Sequence, residues 1–123
     1  MKPQELKIGN LVCYNGEVVK VEQVTKRKIG YHTKPNETRL NYLMLCEIEP
    51  IPITEELLLK CGFDEPCDGV YKYNYGVFEV TKEREKWWVT WNDGADFWFE
   101  IKHLHQLQNA YYLAIGKDFE IKL

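Results

Sequence analysis

Two histidines and two cysteines are the side chains of this 123-residue chain whose types first suggest chemistry. His103 and His105 are separated by one residue, and Cys61 and Cys67 by five. Together they have the donor count of a zinc site, but such sites usually space cysteines two to four and histidines three to five residues apart. On a helix the two histidines would point about 200° apart, whereas at a strand end they could share a site. We expect no bound metal.

No catalytic motif accompanies these residues. The sequence contains no glycine-rich phosphate loop, no G-x-S-x-G and no H-E-x-x-H. The acidic side chains of "GFDEPCDGV" (62–70) stand among Pro and Gly residues that favour a turn. A Cys67 nucleophile with His103 or His105 as base stays open, because such partners need not be neighbours in sequence. We expect a protein that is not an enzyme and has no cofactor.

The composition is that of a globular protein. Hydrophobic residues make up 45% of the chain and charged residues 28%, and the aromatic side chains supply ample surface to bury. No stretch has the length of a membrane span, and the first ten residues lack the apolar core of a signal peptide. We therefore expect a cytoplasmic location and reduced cysteines.

A modest basic patch lies in the first part of an otherwise acidic chain. The net charge is −3, with +2 in residues 1–50 and −5 in residues 51–123. Residues 20–39 hold six basic and two acidic side chains, and the candidates for phosphate binding are Lys26, Arg27, Lys28, Lys34 and Arg39. Nucleic-acid domains usually have a larger basic excess, so solvated loop residues are the preferred interpretation and nucleic-acid binding the alternative.

The first fifty residues predict a small β-barrel. Asn15-Gly16 separates two strand-like runs and favours a tight hairpin in which Val12 pairs with Val19. Further strand-like runs lie near 28–32 and 38–48, on either side of the turn-forming "TKPNET". Several short strands in so few residues are typical of an SH3-like barrel.

The proline-containing segment "EPIPIT" (49–54) predicts the boundary between subdomains 1–50 and 51–123. Thr54 is a good N-cap for a helix over 54–61, with two glutamates in its first turn. Gly62 should end this helix, and Phe63 should fold back on Leu58.

Residues 70–101 contain all four tryptophans and predict a four-stranded antiparallel meander. We place its turns at 74–76, 82–85 and 92–94, which sets Val70 beside Val80, Val80 beside Trp87 and Trp87 beside Phe99. In this register one apolar face is formed by Val70, Phe78, Val80, Trp87, Val89, Trp91, Phe97, Phe99 and Ile101. The face should form the core of the second subdomain.

The opposite face of the predicted meander carries Tyr71, Tyr73, Trp88 and Trp98, with the two tryptophans directly opposed. An outward sheet face is normally polar, so we expect this one to be covered by the N-terminal subdomain, by a second copy of the chain or by a ligand. Tryptophan is enriched at binding hot spots. A protein partner or a homodimer is therefore possible at this face.

An amphipathic helix is predicted over 103–115, ended by Gly116 and followed by a short strand. Its apolar stripe should pack on the tryptophan-rich core face. His105, Gln108 and Tyr112 are expected on its outer side. The predicted partner surface thus comprises Tyr71, Tyr73, Trp88, Trp98, His105, Gln108 and Tyr112.

Three segments resemble a family of small uncharacterised proteins of anaerobic gut bacteria and their phages and prophages. They are "LKIGNLV" (6–12), "IPITEELLLKCGF" (51–63) and "HLHQLQNAYYLAIGKDFEI" (103–121). The chain departs from the family pattern at Cys61, Ala110 and Ile115, where aromatic, leucine and threonine residues are usual. The family has no established catalytic or binding residues to carry over, and the resemblance implies an accessory protein of a mobile element.

The sequence therefore predicts an α+β protein, with a small SH3-like β-barrel followed by an α-ββββ-α unit. We expect it to act as a non-catalytic interaction module associated with a phage or prophage. The alternative is a nucleic-acid-binding accessory protein that uses the basic loops at 20–39.

Overall fold

The computed structural model describes residues 1–34, 36–73, 77–91, 98–119 and 121. The chain divides into two compact units, Met1–Ile51 and Pro52–Leu123. Both sheets and helices are present, so the protein is α+β. In the described part of the chain, neither helix has the length and apolar character needed to cross a membrane.

A tight hairpin opens the first unit. Strands β1 (Leu11–Tyr14) and β2 (Glu17–Lys20) are antiparallel, and Val12 pairs with Val19 as predicted. Asn15 and Gly16 have φ angles of 48° and 78°, which a type I′ turn requires at both central positions. Asn and Gly reach this left-handed region at little cost, so the local sequence specifies the turn.

A three-stranded antiparallel sheet completes the first unit. It contains β3 (Gln23–Val24), β4 (Lys28–Tyr31) and β5 (Asn41–Met44) in that order. Short 3-10 helices span Pro3–Glu5 and Leu45–Glu47. The apolar core of the unit comprises Val12, Val19, Val21, Ile29, Leu43, Leu45 and Ile48.

The predicted SH3-like barrel is not what the first unit forms. Its hairpin and its three-stranded sheet are separate and open, and no ladder among the described residues closes them. The strands are two to four residues long. Strands this short can each bury one face, but they provide too few ladder pairs to close a barrel. The alternation of hydrophobic residues in the sequence does not reveal this shortage.

The second unit begins with helix α1 (Glu55–Lys60), whose ends are as predicted. The Thr54 hydroxyl accepts a hydrogen bond from the Leu57 N–H at 3.1 Å, which satisfies a free donor of the first turn. At the other end Gly62 has a φ of 94°, and the Phe63 N–H donates to the Leu58 carbonyl at 3.1 Å. This is the Schellman arrangement expected of a glycine after a helix.

Five antiparallel strands follow, one more than predicted. They are β6 (Asp64–Cys67), β7 (Val70–Tyr73), β8 (Phe78–Glu83), β9 (Lys86–Trp91) and β10 (Phe99–Ile101), and their order in the sheet is β10-β9-β8-β7-β6. The additional strand β6 includes Pro66 and has an irregular register with β7. Proline is tolerated at the edge of a sheet, where its missing N–H breaks no ladder bond.

The predicted register of β7 is wrong by one residue. Val70 was expected beside Val80, but Tyr71 occupies that position and Tyr73 pairs with Phe78. A one-residue shift moves every side chain of a strand to the other face. Tyr71 and Tyr73 therefore lie on the core face, and Val70 and Lys72 on the opposite face.

The pairing of β9 is shifted by two residues on both sides. Val89, rather than Trp87, pairs with both Val80 and Phe99. A shift of two keeps each side chain on its predicted face. Trp88 pairs with Glu100 and not with Trp98, so the two tryptophans are not directly opposed. The predicted turns at 74–76 and 92–94 and the core residue Phe97 lie outside the described residues.

A tight turn at Arg84–Glu85 connects β8 to β9, in place of the four-residue turn predicted at 82–85. Glu83 pairs with Lys86, which leaves two residues in the turn. The φ angles of Arg84 and Glu85 are 53° and 64°, so both residues occupy the left-handed region that disfavours side chains with a Cβ. The turn is thus strained at both central positions.

Helix α2 (Leu104–Ile115) ends at Gly116 as predicted but buries a wider face than its apolar stripe. His105 and Gln108 were expected on the outer side and are only 2% and 8% exposed. At the start of the helix the Gln106 side chain accepts hydrogen bonds from the Lys102 and His103 N–H groups, at 2.7 and 3.0 Å. The predicted final strand does not form over 118–119.

Candidate functional site

The seven predicted partner residues do not form one surface. Tyr71, His105 and Gln108 are buried, Tyr73 and Trp88 are half-buried, and Trp98 and Tyr112 are exposed. The inward position of the two tyrosines follows from the register of β7. Thr90, which shares the opposite sheet face with Trp88, is also buried. Trp88 and Trp98 are not directly opposed, and a partner surface around them stays a prediction that no longer includes Tyr71, His105 or Gln108.

The aromatic residues that moved inward belong to the core of the second unit. The Tyr73 ring lies 5.2 Å from Phe63, 4.8 Å from Phe119 and 5.6 Å from Tyr111, measured between centroids. Phe78 adds a further contact with Tyr111 at 5.2 Å. Burial raises the pKa of Tyr111. This cluster stabilises the unit and offers no accessible binding face.

The two histidines stack on each other at the start of α2. Their ring centroids are 5.8 Å apart and the planes differ by 8°. The helical arrangement that would point them about 200° apart does not apply, because His103 is the extended N-cap and only His105 is helical. Among the described residues, no group of three or more His, Cys, Asp or Glu side chains is arranged to hold a metal ion.

The cysteine and histidine candidates for catalysis are distant from each other in the sheet. Cys67 lies in β6 at one edge, whereas His103 forms a bridge with Pro52 beyond β10 at the other edge. Four strand spacings amount to about 19 Å, too far for proton transfer. Cys61 is buried, and burial raises the pKa of its thiol to about 11, which disfavours the nucleophilic thiolate.

The candidate phosphate-binding residues are all exposed. They are Lys26, Arg27, Lys28, Lys34 and Arg39. The Lys28 ammonium lies 5.1 Å from the ring centre of Tyr42, whose side chain is 50% exposed. On the outer face of the three-stranded sheet, one basic group thus lies against an accessible aromatic ring.

A groove in the second unit was not predicted from the sequence. It lies between the beginning of α1 and the end of the β8–β9 hairpin, is open to solvent and has a volume of about 540 Å³. We call it the Trp87 groove; its lining residues are Ile53, Thr54, Glu55, Glu56, Lys82, Glu85 and Trp87. Its volume is within the range of about 300–1,000 Å³ that is common for ligand pockets.

The charges of the Trp87 groove are mainly negative. Three glutamates and one lysine line it, which gives a formal net charge of −2. The Lys82 ammonium lies over the indole of Trp87, 5.6 Å from the ring centre. Trp87 itself is 9% exposed, so the indole is held in place while part of it stays accessible. A positive charge already occupies the aromatic surface of the groove.

A second cavity adjoins the same tryptophan. Its volume is about 350 Å³, and its lining residues are Glu85, Lys86, Trp87, Glu100, Ile101 and Lys102. Glu85 and Trp87 are common to both cavities. The strained turn therefore places the Glu85 carboxylate where two concave surfaces meet.

Tyr71 lies behind the wall of the groove. Its ring is 5.7 Å from that of Trp87, and its side chain is fully buried. Burial, with the nearby carboxylates of Glu65 and Glu55, raises the pKa of Tyr71 to about 12. The hydroxyl has no hydrogen bond of normal length to any described residue. The carboxylate of Glu55, which lines the groove, is therefore close to the buried hydroxyl of Tyr71.

The sequence contained a partial indication of this site. The sequence pattern identifies Glu55 and Glu56 only as favourable for the helix dipole, and Trp87 only as a core residue. A two-residue turn at 84–85 pairs Lys82 with Trp87. The four-residue turn predicted from the sequence at 82–85 instead includes Lys82 and hides this pairing. Comparison of the chain with protein-family models, with curated proteins and with solved structures finds no match.

Proposed function

We propose that the protein is a non-catalytic interaction module that binds a protein partner in the Trp87 groove. The observation that carries this proposal is a groove of about 540 Å³ whose lining combines charged side chains with the largely buried indole of Trp87. Tryptophan beside a rim of charged residues is typical of an interface hot spot. The separation of Cys67 from His103 and the raised pKa of Cys61 favour binding over catalysis.

The biological setting is part of the same proposal. The resemblance of segments 6–12, 51–63 and 103–121 to small phage and prophage proteins suggests an accessory role in a mobile element. We infer that this role is recognition of a host or phage protein rather than a reaction of its own. A groove on a small module is suited to that task.

Site-specific photo-crosslinking tests the proposal. A photoreactive residue replaces Glu56 in the groove, or Glu83 as the control, and the protein is expressed in the cells that naturally produce it. Both positions are exposed, but Glu83 follows Lys82 in β8, so its side chain lies on the opposite face of the sheet. We expect a discrete adduct from position 56 alone. Adducts from position 83 alone, or equal adducts from both, would exclude the groove.

Nucleic-acid binding through the first unit is the second candidate. It is favoured by the exposure of the five basic residues and by the contact of Lys28 with the accessible ring of Tyr42. Basic groups bind phosphates, and an aromatic ring can stack on a base of a single strand. The net charge of this half is only +2, which limits the expected affinity.

The test of the second candidate is binding to single strands and duplexes at several salt concentrations. We expect no dissociation constant below about 1 μM at physiological salt, because few phosphates can be neutralised. The double variant Lys26→Glu/Lys28→Glu and the control Lys60→Glu, in the second unit, should then behave alike. Sub-micromolar, salt-sensitive binding that only the double variant abolishes would reverse the order of the two candidates.

A further inference from the structure

We propose that the Trp87 groove recognises a basic side chain, a lysine or arginine of the protein partner, and that Lys82 is its built-in competitor. This inference rests on the proposed function and names the chemistry of the ligand. In the free protein the Lys82 ammonium occupies the indole face. A partner side chain of the same charge would take that place and displace Lys82 toward solvent.

Charge complementarity is the first argument. Glu55, Glu56 and Glu85 line the groove together with a single lysine. A surface with this excess attracts cations and repels anionic ligands such as phosphates or acidic peptides. No described carboxylates are grouped closely enough for a metal ion. A lysine or arginine side chain, which has its charge at the end of an apolar stem, therefore fits the groove better than a metal ion.

The aromatic surface is the second argument. A cation within about 6 Å of a ring centre is attracted by the electrons of the ring, and tryptophan gives the strongest such contact. The 5.6 Å contact of Lys82 demonstrates that the indole of Trp87 presents this surface inside the groove. The methylene groups of a lysine or arginine would cover the rest of the indole while the charge meets the glutamates.

The buried hydroxyl behind the wall is the third, independent argument. Tyr71 is fully buried, its hydroxyl makes no hydrogen bond of normal length to a described residue, and the carboxylates of Glu65 and Glu55 lie nearby. A buried donor without an acceptor is unfavourable. When a cation draws the Glu55 carboxylate into a fixed position, the hydroxyl can donate to one of its oxygens.

Lys82 distinguishes this proposal from a general electrostatic attraction. The residue is exposed and lies in the same β8–β9 ladder as Trp87. As long as its ammonium covers the indole, an incoming basic side chain must displace it. Removing Lys82 should therefore strengthen binding, whereas removing another lysine of the unit should not.

Titration of the full chain with short peptides tests the proposal. The probes are acetylated and amidated pentapeptides with a central lysine or arginine between glycines, and a glutamine version is the matched control. Binding is followed by the NMR shifts of the tryptophan indole N–H groups, with Trp87→Phe to identify the signal. We expect the basic peptides to shift the Trp87 signal with a dissociation constant of about 1 mM, and the glutamine peptide to leave it unchanged.

Three variants separate the contributions. Lys82→Gln should bind a basic peptide about threefold more tightly or better, whereas Lys72→Gln changes the net charge equally on the other sheet face and should bind within about twofold of wild type. Glu56→Gln/Glu85→Gln should weaken binding about tenfold. All of these side chains are exposed, so we expect each variant to remain folded.

The outcomes distinguish this inference from the function on which it rests. Equal binding of basic and glutamine peptides, or binding that Lys82→Gln does not strengthen, overturns the proposal. If the basic peptides do not bind but crosslinks still form from position 56, the groove has a partner of different chemistry and only this inference fails. If the crosslinks fail as well, the proposed function falls with it.

Discussion

Two hairpins of this protein share one turn geometry but reach it by different means. In the first unit the turn residues are Asn15 and Gly16, with φ angles of 48° and 78°. In the second unit Arg84 and Glu85 adopt φ angles of 53° and 64°. Asn-Gly is the favoured pair for this geometry, whereas each left-handed residue with a longer side chain costs roughly 1–2 kcal/mol.

We infer that the second turn is imposed by the strands on either side of it. Trp87 and Val89 are buried on the core face, and Val80 pairs with Val89 across the ladder. This packing fixes the register of β8 and β9, and the two residues left between them must adopt the turn. Strain that tertiary packing maintains is often found at functional sites. Here it places Glu85 in the Trp87 groove.

Among the variants that test this comparison, removal of Trp87 should have the largest effect on stability. If packing holds the second hairpin, Trp87→Ala should lower the free energy of unfolding by about 3–5 kcal/mol, as emptying a buried tryptophan site usually does. The control is Trp98→Ala, since that side chain is 47% exposed and should cost less than about 1 kcal/mol. Urea denaturation measures both. Equal losses would mean that Trp87 has no special part in the hairpin.

Relief of the strained turn should have the next largest effect. Arg84→Asn/Glu85→Gly supplies the residues of the first turn and should stabilise the protein by about 1–2 kcal/mol, after the added flexibility of glycine in the unfolded chain is subtracted. Thermal and urea unfolding measure the gain. A destabilised variant would show that the Arg84 and Glu85 side chains themselves support the turn.

The converse change in the first hairpin should be smaller. Gly16→Ala places a Cβ in the left-handed region and should cost about 1 kcal/mol. A Cβ at Gly16 meets nothing within 4 Å, so the cost is purely conformational. Glu85→Ala, at the equivalent position of the other turn, replaces one Cβ-bearing residue by another and should stay within about 0.5 kcal/mol. Equal costs at both positions would contradict the proposed difference.

Tyr71→Phe should have the smallest effect near neutral pH. Because the buried hydroxyl has no hydrogen bond to a described residue, its removal should be neutral or stabilising by up to about 1 kcal/mol. A loss of more than about 1 kcal/mol near pH 7 would instead indicate a hydrogen bond in solution.

The same variant should alter stability in alkaline solution. The pKa of Tyr71 is raised from 10.0 to about 12, so the unfolded chain loses this proton first and stability falls as pH rises between those values. In Tyr71→Phe the fall should be smaller but still present, since burial also raises the pKa of Cys61 and Tyr111. Urea denaturation at several pH values measures it. An identical fall in both proteins would contradict the assignment to Tyr71.

Elements with strong local preferences could be predicted from the sequence. The Asn15-Gly16 hairpin, the Thr54 cap and the glycine ends of both helices all formed as expected. In each case one or two residues determine the backbone, whatever the rest of the chain does. The core face of β8 and β9 was also predicted correctly, because a pairing shift of two residues leaves each side chain on the same face of the sheet.

Features that depend on contacts between distant segments could not be predicted. The β7 register required comparing the burial of Tyr71 and Tyr73 with that of Val70 and Lys72, and the lysine between the tyrosines was the overlooked indication. His105 follows a leucine on α2 and is buried with it, because the covered face is wider than the apolar stripe. The Trp87 groove exists only once α1 and the β8–β9 turn are side by side.

Isotope-filtered nuclear Overhauser spectroscopy of the protein with the lysine pentapeptide shows whether the Trp87 groove binds a basic side chain. We expect contacts between the ε-methylene protons of the peptide lysine and the indole ring of Trp87. We also expect the contacts between Lys82 and that ring to weaken as the peptide is added. Peptide contacts only with Trp88, Trp91 or Trp98, or an unchanged contact of Lys82 with Trp87 at saturation, would contradict this proposal.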